Sequence, residues 1–562
     1  VPPGGGPPER RRAVDLRLII PTISKTLVVR GGTIYDGSGR QPKVGDVVIT
    51  GDRIAAVGDV GRVAAHHVID ADGLAVAPGF INMMSWSNES LIEDGASQSD
   101  IRQGVTLEVM GEGWSMGPLT DEMKAEVERR GAGNPLVDYA VEWTTLGQYL
   151  GWLERRGISP NVASFVGAST VRIHAMGHEA RPATEEELGR MRELVREAMA
   201  EGALGVASAL IYPPATSSTT HELVALAAVA AEFGGMYASH IRSEGAALIE
   251  AVEELLEIAR LVNVRAEIYH LKASGRTNWP KMDRAIEMIE DARATGHAVT
   301  ADAYPYTFSG TGLDACIPPW AHEGGFDDLL TRLRDPQTRA RILEGMRSSS
   351  SSWENAFLET TPDAIVVAGF RQDALRHLTG MTLAEVASRR GTTPEETVLD
   401  LLVEDDNNVD ALYFAMSEDD VRKVLSLPWV SFCSDAESLA PEGIFLKTDP
   451  HPRAYGAFAR VLGTYVRDER ILPLEEAIRR MTSLPAENLR LEGRGRLREG
   501  AYADVVVFDP LEVRDHATPD SPHRYSTGVR HVLVNGTRVI SEGEHTGARP
   551  GRFVRGPGVS AS

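Results

Sequence analysis

Cysteine is scarce in this chain: Cys316 and Cys433 are the only two in 562 residues. Two thiols cannot build a disulfide framework or a cysteine-rich metal site, and both read as small buried hydrophobes in a reducing, cytoplasmic setting. Long apolar runs are also missing. No stretch reaches the 18 or so residues that would cross a bilayer, so no membrane span is expected. Positive charge is in deficit, with 58 Lys and Arg against 80 Asp and Glu, a formal net charge of −22. That imbalance makes nucleic acid and anionic membrane surfaces poor partners. Gly at 54 and Pro at 31 are too few for a fibrous or low-complexity chain. Val1–Arg12 carries three arginines with no apolar stretch behind them, so residues 1–23 read as a disordered leader rather than an intact signal peptide.

What remains is the balance of a globular protein, 42% apolar and 25% charged, at a length that suits a large domain with a smaller companion. Strand signals open the chain at Thr26–Asp36, Asp46–Asp52 and Arg53–Gly58, with glycines at the turns. The same texture returns at Ala503–Pro510 and Val529–Gly536. Two strand-rich ends around a long middle predict a small β-sandwich built from residues 24–77 and 489–550. Between them, 78–488 alternates apolar β runs with helical stretches: Leu204–Ser208, Glu222–Phe233, Met236–His240, Ala246–Leu261, Arg265–His270, Pro280–Thr295, Ala298–Asp302. Repeated β–α–β units with short links predict an α/β fold, a (β/α)8 TIM-like barrel. The alternation weakens over about 324–425, which reads as barrel elements plus an insertion over the mouth, with an exposed loop at Ser348–Ser352.

In such a barrel functional groups gather where strands end. His240 closes MYASH, His270 closes EIYH, Asp435 follows VSFCS and Glu112 follows VTLEVMG. Two imidazoles and a carboxylate suit zinc, and three protein ligands with a water make a catalytic site. Asp435 would then be free to take a proton. Each residue has a plainer reading: a histidine satisfied by hydrogen bonds, an acid paired with a base, an aspartate capping a turn. His174, His178, His221 and His451 read as surface or capping residues, with His174 or His178 able to approach the site from the 161–178 segment. Met83, Met84 and Trp86 read as core or pocket wall.

Several blocks carry a resemblance. PGFIN (78–82) after VIDADGLAVA, and ADVVVFD near the far end, are similar to the amidohydrolase superfamily. RQGVTLEVMGEG, GALGVASALIYPP, GGMYASHIRSEG, IYHLKASG, DAYPYT and HPRAYGAFARVLG resemble its N-acyl-D-amino-acid deacylase branch, in family order from about residue 26 to 548. The resemblance implies a zinc-dependent amidohydrolase acting on a small substrate with a free carboxylate. It implies that His240 and His270 hold the tight zinc, with Glu112 where the family commonly has a bridging cysteine. It further implies Asp435 as catalytic acid–base, Arg453 on the substrate carboxylate, and Lys272 and Tyr304 near the substrate. One departure stands out. The superfamily's Asp-x-His-x-His becomes Asn82-Met-Met-Ser-Trp86, leaving Met84 and Trp86 at the histidine positions, so one zinc ion is expected. The rival readings are a cyclic-imide or isoaspartyl-peptide hydrolase on the same barrel, and an inactive ligand-binding relative. The acyl group, side chain, stereochemistry and oligomeric state, a homo-oligomer included, stay open at the level of sequence.

Overall fold

The computed structural model describes residues 26–131, 139–348 and 353–559; the expected leader and Ser349–Ser352 of the expected loop lie outside them. The molecule is an α/β protein. Strands from the two ends of the described chain pair with each other: Ala75–Pro78 runs antiparallel to Val505–Phe508, within a single sheet of nine strands. Hydrogen bonds thus join the strands of the expected sandwich in one continuous sheet. Register shifts at Val29/Gly32, Val48/Ile49 and Val507/Phe508 bend it, as an extra residue in one strand of a pair does. One face closes over Leu27, Val29, Val47, Ile49, Val505 and Leu533.

The middle of the chain builds two parallel sheets. Val166–Gly167, Gly205–Ala209, Met236–His240, Arg265–Ile268, Val299–Ala303 and Val430–Phe432 form the larger, in that order. Phe80–Asn82, Val105–Met110 and Asn161–Ser164 form the smaller. These strands are buried along their length (Val105–Met110 at every position), as expected of parallel strands covered on both faces. Helices fill the crossovers. Glu185–Glu201 begins at a capping box between Thr184 and Glu187 and stops at Gly202, whose φ of 116° ends the helix. The two sheets meet at both margins. Phe165, between Ser164 and Val166, donates its N–H to Met110 O at 2.9 Å, and Met83 N–H reaches Phe432 O at 3.4 Å.

A third layer stands apart from this alternation. Ser309–Gly312, Ile365–Gly369 and Asp410–Tyr413 form an antiparallel sheet with its own apolar cluster, which includes Leu313, Leu333, Ile342, Phe370 and Leu401. The segment that departs from the β/α rhythm therefore starts earlier than 324. It ends earlier too, because the Glu418–Ser426 helix packs on the Val430–Phe432 strand. The reason is local: SGTG is too poor in apolar residues to show as a strand until its partner Asp410–Tyr413 is in place.

Candidate metal centre and active site

Four loops at the C-terminal ends of the parallel strands converge on one cavity of about 1030 Å³. Glu112 arrives two residues after its strand, between Gly111 (φ 102°) and Gly113 (φ 65°). Neither glycine is replaceable: a Cβ at Gly111 would lie 2.3 Å from Phe165 O, and one at Gly113 2.7 Å from the Ala209 side chain. This tight turn drives the Glu112 carboxylate inward. His240 ends the Met236–His240 strand, and His270 follows the Arg265–Ile268 strand with φ 38°. Its backbone N–H donates to Asp302 Oδ1 at 2.6 Å.

Glu112, His240 and His270 are all buried, and one ligand atom from each lies within 4.8 Å of the others. Glu112 Oε1 sits 3.1 Å from His240 Nδ1 and 3.2 Å from His270 Nε2. Burial would raise the Glu112 carboxyl, but hydrogen bonds to the two histidines and their charge hold it down at about 2. Burial and Lys272 oppose protonation of His270, yet Glu244, Asp435 and Glu112 hold its imidazole up at about 10. The pocket's electrostatics therefore favour positive charge between these three side chains. Two imidazole nitrogens and a carboxylate oxygen around such a point fit a borderline dication.

Glu244 lies directly behind this group, and sequence reasoning missed it. Its Oε1 accepts from Lys272 Nζ at 2.6 Å, lies 2.9 Å from His270 Nδ1 and stands 3.7 Å from His240 Nε2. Glu244 Oε1 and, at 2.7 Å, Lys272 Nζ both reach His270 Nδ1, so together they set the orientation of the ring and leave Nε2 facing Glu112. The available signal was its position, four residues beyond His240 in the same strand-end loop.

The remaining expected residues fall around the same centre. Asp435 is buried, with φ 47°. Burial raises its pKa; Arg453 and His270 oppose the rise, and Glu112 adds to it. Arg453 donates from Nη1 to Asp435 Oδ2 at 2.5 Å and from Nη2 to Gly310 O at 3.2 Å, leaving its buried Nε without a hydrogen-bond partner among the described residues. Tyr304 lines a smaller adjoining cavity, its ring 4.7 Å from the Arg453 guanidinium and 5.5 Å from Lys272 Nζ. Lys272 itself lines the main cavity, held by Glu244. Met84 is buried and Trp86 forms part of the cavity wall. His178 lines the outer cavity, paired with Glu126 at 3.2 Å. His451 is not on the surface: it is buried, stacked 4.2 Å from Phe308, and caps the next helix by accepting the Arg453 N–H at 2.9 Å. The aromatic neighbours that bury it come from the 304–308 loop, remote in sequence.

Comparison with known proteins gives the same class. Residues 67–540 match the amidohydrolase family. The chain is 35% identical to the D-aminoacylase of Alcaligenes xylosoxydans xylosoxydans over 94% of its own length and 97% of that protein's. A crystal structure of D-aminoacylase superimposes with a TM-score of 0.77 at 32% identity, covering 94% of this chain and 99% of that one. The N-acyl-D-glutamate deacylase of Bordetella bronchiseptica, solved with zinc and a phosphonate mimic of the tetrahedral intermediate, gives 0.79 at 32% identity, covering 95% and 99%. The chain belongs to the amidohydrolase family, in its D-aminoacylase branch, and is a metal-dependent hydrolase acting on a linear amide C–N bond. Among the described residues no helix is long and apolar enough to cross a membrane.

Proposed function

We propose that this chain is a zinc-dependent deacylase of N-acyl-D-amino acids, with its site at the mouth of a (β/α)8 barrel. The barrel reading is supported by the joined margins of the two parallel sheets. With Asn161–Ser164 and Val166–Gly167 taken as halves of one strand, eight parallel strands follow in a ring. The observation that carries the chemistry is the convergence of Glu112, His240 and His270 beside Asp435 in one cavity. These three residues would hold one ion, with Glu244 orienting His270. When bound, the ion polarises the scissile carbonyl and acidifies an attacking water. Asp435, kept above the usual carboxylate range by burial, takes the proton as the water attacks and returns it to the departing amine.

Arg453 would grip the substrate's free carboxylate through a planar fork suited to it. In the resting arrangement that fork holds Asp435. A substrate carboxylate arriving at Arg453 draws charge away from Asp435 and leaves it more basic. Tyr304 backs the guanidinium, and Lys272 stands beside the reacting centre. Lys272 and Arg453 are the only Lys or Arg among the described residues lining the cavity, and each is already paired with a carboxylate. An acidic substrate side chain would find no free counter-charge, so neutral side chains fit better. Replacement of the expected histidines by Met84 and Trp86 supports a single metal, and the 309–413 segment lies where a lid over the mouth would. The two free, buried cysteines suit a cytoplasmic protein.

The test is metal content and turnover together. Protein purified without added metal should carry about one equivalent of zinc and release acetate from N-acetyl-D-amino acids with neutral side chains, with lower kcat/KM on N-acetyl-D-glutamate and none on the L enantiomers. One bound zinc without turnover on any of these would replace this reading with the ligand-binding one.

A further inference from the structure

The 309–413 segment does more than line the cavity, because two of its carboxylates reach across and grip the loop that follows His240. Glu354 accepts the backbone N–H of Glu244 at 2.5 Å, and Glu359 accepts the N–H of Ala246 at 3.1 Å. Between them sits Gly245, where a Cβ would fall 2.1 Å from the Glu359 carboxylate, so the loop and the segment are in direct contact. The loop is secured from its other side as well. Lys281 Nζ donates to Ala246 O at 2.6 Å, and Ser274 N–H to Glu244 O at 2.8 Å. Glu244 is thus held by its backbone from the lid segment while its side chain touches Lys272 and both histidines of the metal group.

We propose that Glu354 is a positioning residue for the metal centre: by fixing the Glu244 backbone it couples seating of the 309–413 segment to the orientation of His270, so that the ion is held tightly only when the lid is in place. This rests on the one-zinc reading above, but its readout does not depend on which substrate is cleaved. The chain of contacts is short. One hydrogen bond separates Glu354 from Glu244, and one contact separates Glu244 from His270. The bond needs an acceptor, not a charge. Burial, with Glu244 and Glu359 alongside, pushes the Glu354 carboxyl up to about 8, so glutamine is its near-isostere in the folded enzyme.

The experiment is zinc affinity of the metal-stripped full-length protein, measured by competition with a chromogenic chelator, for the parent, Glu354→Ala and Glu354→Gln. Outer-shell partners of metal ligands change affinity by about 10–100-fold when removed, and Glu354→Ala, one hydrogen bond further out, should fall at the low end of that range, about tenfold. Glu354→Gln should stay within about threefold of the parent, since its amide oxygen still accepts the Glu244 N–H. If the parent binds zinc but turns over none of the proposed substrates, the functional reading fails while this one is still decided by affinity. Unchanged zinc affinity in Glu354→Ala with a raised KM would make the segment a simple cover and overturn the coupling. An equal loss in Glu354→Gln would assign the effect to charge and overturn the hydrogen-bond account. Should Glu354→Ala not fold, Glu354→Met, which keeps bulk and removes the acceptor, carries the same expectation.

Discussion

A side-chain-bearing residue held in the left-handed backbone region costs about 1–3 kcal/mol and persists only where its surroundings impose it. His270 and Asp435 both adopt it, at φ 38° and 47°. In each case the turn aims the side chain back over the cavity instead of letting it follow the strand outward. Asp435→Asn preserves that backbone and the side-chain shape while removing the proposed base. It should lower kcat by about 10²–10⁴-fold and leave zinc content at the parent level; retained kcat would remove Asp435 from the chemistry. At this scale the sequence was most informative about residues that end strands, because a strand end is recognisable from its apolar run and a barrel brings such ends together. Glu112, His240, His270 and Asp435 stood out as candidates for that reason, while their roles came only from the family resemblance. The Arg453–Asp435 pairing was not, since an ion pair between residues 18 apart in irregular chain leaves no periodic trace. Glu354 was less legible still: nothing local distinguishes it from the other acids of a polar stretch.

Among the elements, helices Ala168–Met176 and Thr220–Glu232 are locked by a fully buried charge pair, Arg172 Nη1 to Glu222 Oε2 at 2.7 Å. The Arg172 guanidinium also donates to the Glu179 carbonyl at 3.1 Å, and Ser218 Oγ donates to Glu222 Oε1 at 2.9 Å. Every strong partner of this pair is internal, so removing one member strands the other without water. Glu222→Ala should destabilise the fold by about 3–5 kcal/mol, whereas replacing both residues with well-packed apolar ones should cost much less. Urea unfolding of the two variants separates these outcomes, and equal losses would refute the stranded-charge argument. Of the two helices, Thr220–Glu232 was readable from its apolar period as Glu222–Phe233, whereas Ala168–Met176 was not singled out. The antiparallel strands at 309–312 and 365–369 were harder, because pairing partners about 50 and 100 residues apart along the chain supply what the local sequence lacks.

Over the whole molecule the net charge of −22 is not spread evenly, since several acids face the cavity. Glu437, two residues past Asp435, is pushed up to about 8 by burial, with Glu89 and Asp410 adding to the rise. Composition gave the size of the excess but not its location, which depends on strand ends brought together by the fold. The consequence is a pH dependence with a definite sign. A carboxyl whose folded pKa lies above its unfolded value of about 4.3 binds a proton in the folded chain that the unfolded chain releases. Its stabilising contribution is complete below pH 4 and is lost as the pH rises towards 8. Glutamine at this position cannot ionise and so escapes the loss. Glu437→Gln and the parent should therefore respond differently: near-equal stability relative to each other at pH 4, and at pH 8 a gain for the variant of at least about 1 kcal/mol. Paired denaturant titrations at the two pH values measure that difference directly. A constant offset between the proteins across the range would mean that Glu437 is already ionised in the folded enzyme and would refute the argument from burial.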